Sequence, residues 1–80
     1  MSEPIKLKHP VTVDGKELNS LSMRRPKVRD MLIADKHGSG NGAKEVAMFA
    51  NLCEVDSSVI EDLDLADYGE LQATYKGFLS

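Results

Sequence analysis

The sequence predicts an α+β fold, with an N-terminal antiparallel β-hairpin packed on three to four short α-helices. Three observations predict it. Apolar residues alternate with polar ones on either side of Asp14-Gly15, an apolar stripe recurs at helical spacing from Val46 to Cys53, and capping residue types stand ahead of the later apolar segments.

The hairpin is expected at about residues 5–24. Ile5, Leu7, Val11 and Val13 alternate with Lys6, Lys8, Pro10 and Thr12, and His9 shares the apolar phase. Asp-Gly between such runs marks a two-residue turn, because Gly adopts positive φ freely and Asp tolerates it. On the return strand Leu18 is out of phase with Leu21 and Met23, which a bulge near Asn19-Ser20 would repair. Pro10 has no N–H for the ladder, so its strand is expected to be an edge or to be interrupted there. A two-stranded ribbon is marginal alone, and the helices are expected to cover its apolar face.

Helix one is expected at about 27–37, with Pro26 in its first turn and Val28, Met31, Leu32 and Asp35 on one side. His37 at its end would complement the helix dipole. The run Gly38-Ser39-Gly40-Asn41-Gly42 reads as a flexible connector over 38–42. Helix two is expected at about 43–53, where Val46, Phe49, Ala50 and Cys53 follow the i, i+3, i+4, i+7 pattern. Ser58 and Glu61 have capping-box spacing and would open a short turn at about 57–62. Asp64 would cap a last helix at about 65–78 bearing Leu65, Tyr68, Leu71, Gln72, Tyr75 and Phe78. Gly69 weakens that helix by about 1 kcal/mol relative to Ala.

Eighty residues make one small domain, 1–80, whose single-copy core is marginal. One cysteine allows no internal disulfide and no multi-thiolate metal site, which suits a reducing cytoplasm. No apolar stretch has the length of a signal sequence or a membrane span. Charge is divided along the chain. Residues 1–40 hold eight Lys/Arg and five Asp/Glu, a balance of +3, and residues 41–80 hold two and eight, a balance of −6. Such opposed halves can meet between copies, which favours self-association over a nucleic-acid surface.

Candidate chemistry fails residue by residue. Cys53 lies on the apolar stripe of helix two and reads as core, and neither His9 nor His37 has a second ligand at metal spacing. The glycine run ahead of Lys44 departs from a phosphate loop. It follows a helix, Ala43 separates Gly42 from Lys44, and Glu45 replaces the hydroxyl residue. The carboxylates Glu54, Asp56, Glu61, Asp62, Asp64 and Asp67 do not fit a calcium loop, and read as caps and solvated helix starts. Arg24-Arg25-Pro26-Lys27 with Arg29 is the densest basic cluster. It supports an alternative reading as a small nucleic-acid-binding regulator, although no aromatic interleaves it for base stacking. No catalytic, cofactor or metal constellation remains, so the residues alone describe a binding or assembly module.

Three ordered stretches carry a resemblance. They are Pro10-Val11-Thr12-Val13-Asp14-Gly15-Lys16-Glu17, then Leu21-Ser22-Met23-Arg24-Arg25-Pro26, then Leu63-Asp64-Leu65-Ala66-Asp67-Tyr68-Gly69-Glu70-Leu71-Gln72 ending in Gly77-Phe78-Leu79. In these the chain resembles the tail assembly chaperones of contractile-tailed bacteriophages and Mu-like prophages. The resemblance implies a non-enzymatic factor, without cofactor, metal or membrane association. Such a factor keeps the tape measure protein soluble in the host cytoplasm during tail assembly and is absent from the mature virion. It also implies a frameshift-extended form and self-association. A client with apolar helical stripes needs adaptable apolar surface, for which Met23, Met31, Met48, Tyr68, Tyr75 and Phe78 are candidates, with Arg24 and Arg25 as charged contacts. The glycine run is a departure from the family pattern that would leave helices one and two free to reorient.

Overall fold

A computed structural model describes residues 2–37 and 40–80. Two strands, β1 (Ser2–Val13) and β2 (Lys16–Arg24), form an antiparallel hairpin. Four helices follow: α1 (Val28–His37), α2 (Asn41–Cys53), α3 (Ser57–Glu61) and α4 (Leu65–Leu79). The arrangement is the α+β fold that the patterning predicts.

The turn forms where Asp14 and Gly15 allow it. Both take left-handed backbone, with φ of 52° and 77°, and Val13 pairs with Lys16 across them. Ile5 faces Leu21 and Val11 faces Leu18. The expected bulge is opposite Asn19, but its extra residues lie on the other strand. Between the pairs Lys6–Ser20 and Val11–Leu18, β1 holds Leu7, Lys8, His9 and Pro10 where β2 holds Asn19 alone. Pro10 thus occupies the interruption, where a missing N–H removes no ladder bond. The bulge also keeps Leu7 and Val11 buried together.

Asp67, in the first turn of α4, explains why the bulge sits on β1. Its two carboxylate oxygens accept the Lys8 and His9 amides, each at 2.9 Å, taking over donors that the ladder leaves unpaired. Sequence reasoning places Asp67 among solvated helix-start carboxylates. It is instead fully buried, and these backbone donors, Lys8 first, hold its carboxyl below the usual range.

The core lies between the hairpin, α2 and α4. Phe49, Leu52, Met23 and Leu71 are completely enclosed, and Tyr68 and Tyr75 tilt against Phe49 with ring centroids 5.5 and 5.6 Å away. The stripe of α2 holds at Phe49, Ala50 and Cys53, with Met48 and Leu52 widening it and Val46 half-buried at its edge. Burial pushes the Cys53 thiol up to about 11, so it packs as an inert hydrophobe. On α4, Leu71 is buried, while Leu65 stands in solvent.

Helix ends follow local chemistry, with two departures from expectation. The cap of α3 is Asp56, whose Oδ2 accepts both the amide and the hydroxyl of Ser58, so Ser58 is a donor and the Ser58–Glu61 box does not form. Helix α2 begins at Asn41 with Gly40 as its N-cap, so Gly40, Asn41 and Gly42 belong to a helix start and not to a connector. Gly38, Ser39 and the side chain of His37 lie outside the described residues. Asp64 caps α4 as expected, accepting the Ala66 amide at 2.9 Å.

At the end of α2, Glu54 takes left-handed backbone with φ of 57° while its amide and that of Val55 bond back to Asn51 and Ala50. Such closures favour Gly. Glu54→Gly is therefore expected to raise the unfolding free energy by about 0.5 kcal/mol in urea denaturation. The opposing loss is small, since Glu54 is exposed and its oxygen lies 3.8 Å from Arg24 Nε. A decrease would show that the charged contact outweighs the backbone strain.

Candidate partner-binding surface

Helix α1 contradicts the simple expectation that its apolar side covers the hairpin. Val28, Met31, Leu32 and Asp35 do share one side, but that side faces outward. Val28 is 72% exposed, Leu32 54%, Met31 49% and Ile33 38%, whereas Asp30 and Ala34 on the opposite side are buried.

The inversion follows from Asp30, a fully buried carboxylate at the start of the helix whose ion-pair partner, Arg24, is half-buried. Arg24 at the end of β2 grips it with both terminal nitrogens, Nη1 to Oδ2 at 2.9 Å and Nη2 to Oδ1 at 2.7 Å. The Lys27 amide donates to Oδ2 at 2.8 Å, and the Asn51 side-chain amide donates to Oδ1. Four donors, three of them from side chains, thus fix one carboxylate at the junction of β2, α1 and α2. Arg24 and the Lys27 amide hold the Asp30 carboxyl below its ordinary range, and the same contact raises the Arg24 guanidinium above its own. With Asp30 locked inward, rotation of α1 is set by a polar latch, and among the described residues no element covers the side bearing Val28 and Leu32.

Two grooves flank the exposed ridge. One, of about 480 Å³, runs from Ile33 over the small side chains Gly42, Ala43, Val46, Ala47 and Ala50 of α2 to Glu61 of α3. The other, of about 220 Å³, has Met31, Ala34, Met48, Phe49 and Tyr75 for lining, with Asp35, Lys44 and Glu45 at its edge. Lys44 Nζ lies 3.7 Å from Asp35 Oδ1 across that edge. Glu45 accepts from the Tyr68 hydroxyl and from Gln72 Nε2, which ties α2 to α4. Burial, then Glu45, raises the Tyr68 phenol well above its ordinary value, so it stays a donor.

The candidate residues separate accordingly. Met31 and Arg25 are exposed; Arg25 lies 5.9 Å above the Phe78 ring. Tyr68, Tyr75 and Phe78 are half-buried against the core, Arg24 is half-buried in the latch, and Met23 and Met48 are buried. The structure brings Met31, Met48 and Tyr75 together around one groove. Sequence reasoning missed Ile33 and the outward direction of Val28 and Leu32. The available signal was Asp30 six residues after Arg24, at a position where an inward-facing helix would carry an apolar side chain.

Among the described residues no group of three or more His, Cys, Asp or Glu side chains is placed to hold a metal ion, and no helix is long and apolar enough to cross a membrane. Searches of curated proteins and of solved structures return no match. A family model described as phage tail assembly chaperone proteins, E, or 41 or 14, matches residues 4–80, spanning the hairpin, the latch and all four helices. The chain therefore belongs to the phage tail assembly chaperone family.

Proposed function

We propose that this protein binds apolar helical segments of the tape measure protein and keeps them soluble while the tail is built, without chemistry of its own. It acts in the host cytoplasm and is left out of the finished virion. One observation carries the reading: within ten residues α1 presents Met31, Leu32 and Ile33 to solvent, between two grooves that extend the apolar surface. An apolar ridge flanked by grooves suits the stripe of another helix, and exposed Met31 adapts to imperfect registers. Membership in a tail assembly chaperone family makes a tail protein the natural client.

Met31→Glu combined with Leu32→Glu tests this. Both side chains are about half exposed, so the melting temperature should fall by only a few degrees, whereas affinity for the client should fall about tenfold or more. Co-expression with the tape measure protein, scored by the soluble fraction, reads the effect. A variant that solubilises the client as well as the parent removes α1 from the proposal.

A further inference from the structure

Of the two grooves beside α1, the one bounded by α1, α2 and α3 is bordered by charges that folding leaves unanswered. Its floor is α2, where Ala43, Val46, Ala47 and Ala50 leave about 480 Å³ open, and its sides are Ile33 of α1 and the segment from Val55 to Glu61. No aromatic side chain lines it to enclose a small ligand, and its one side-chain amide, Asn51, is committed to Asp30. A floor of short side chains lets another helix approach closely.

The two sides differ in sign. Glu61 and Asp56, the cap of α3, stand on one side, and no Lys or Arg lines the groove. On the α1 side, exposed Lys36 follows Ile33 by three positions and so shares its side of the helix. Arg29, four positions before Ile33, adds positive charge there but also faces Asp30. Among the described residues neither Lys36 nor Glu61 has an ion-pair partner. The groove around Met31 differs, because its charges are already answered: Lys44 lies against Asp35, and Glu45 accepts from Tyr68 and Gln72.

We propose that the α1–α2–α3 groove seats an amphipathic helix of the client whose apolar stripe has Lys or Arg along one flank and Asp or Glu along the other. The basic flank lies against Glu61 and the acidic flank against Lys36. This rests on the reading that the protein binds apolar helical segments, and adds which groove takes them and which charges they carry. Turning a helix end for end exchanges its flanks, so the order of the charges also fixes the direction in which the client lies.

Three synthetic helical peptides with one stripe of leucine and alanine test it, by fluorescence anisotropy against the full chain. They differ only in their flanks, with Lys on one and Glu on the other, Lys on both, or Glu on both. At low ionic strength the mixed peptide should bind the parent about tenfold more tightly than either uniform one. Lys36→Glu should shift the preference toward the all-lysine peptide, and Glu61→Lys toward the all-glutamate peptide. Both residues are exposed, so neither change should disturb the fold. In isotope-labelled protein the mixed peptide should move the amide NMR signals of Ala47, Ser57 and Glu61 more than those of Lys44 and Tyr75. Equal affinity for the three peptides, a preference that neither variant alters, or movement centred on Lys44 and Tyr75 would each overturn the proposal. So would movement of the Ala47, Ser57 and Glu61 signals with rising concentration of the protein alone, which would give the groove to a second copy. Failure here is distinct from failure of the client assignment. Peptides that ignore the charges, while Met31→Glu/Leu32→Glu loses the tape measure protein, overturn the groove and leave the ridge. Peptides that follow the charges, while that variant still solubilises the tape measure protein, support the groove and remove the ridge.

Discussion

Replacing Asp30 by alanine is expected to lower the unfolding free energy by about 3–5 kcal/mol, out of about 4–12 kcal/mol for a chain of this length. The substitution leaves the Arg24 guanidinium without its bidentate acceptor and strips the Lys27 amide and the Asn51 side chain of theirs. Arg24 is half-buried and can turn partly into solvent, so the lower end of the range is expected. Urea denaturation measures the loss. The pH dependence gives a second reading. The folded carboxyl titrates below its unfolded value, so its contribution is full above about pH 5 and disappears as pH falls through the folded value. The gap between parent and Asp30→Ala should therefore close on acidification. A gap of constant size from neutral pH to about pH 2 would mean that the ion pair is not the source of the loss.

Phe49→Ala is expected to cost a similar amount, about 3–5 kcal/mol, through a different mechanism. The ring is completely enclosed and is the surface on which Tyr68 and Tyr75 rest. Removing it opens a cavity and deprives both tyrosines of their aromatic neighbour at one stroke. The loss should be independent of pH across the range in which the Asp30 effect closes, which separates the two. Tyr68 keeps a tether through Glu45, whereas no comparable side-chain bond is found for Tyr75 among the described residues. Proton NMR should therefore show greater broadening of the Tyr75 ring. A loss below about 1 kcal/mol would show that the core collapses around the vacancy.

The residues reveal the elements more readily than their orientation. Asp14-Gly15 defines the hairpin turn, and Asp64 defines the start of α4, because backbone geometry and capping act within a few residues. The stripe of α2 is legible for the same reason: its period is a local property that burial only confirms. The bulge is half legible. Leu18 falls out of phase in the sequence, but the strand that absorbs the difference is chosen by Asp67, fifty-nine positions after Lys8. Helix α1 misleads most. Its periodicity gives the correct side but cannot show that Arg24 and Asn51 draw Asp30 inward. The candidate surface depends on that inversion, so Met31 was legible as a candidate while Ile33 was not.

The bond between Asp67 and the amides of Lys8 and His9 also imposes an order on biogenesis. The ribosome delivers the hairpin well before the carboxylate that completes it. Until translation reaches α4, two donors of the nascent ribbon face water and its strand alignment is held by the turn alone. A transcript cut short before that helix would leave a hairpin free to slip its pairing, which makes α4 the checkpoint for the first strand.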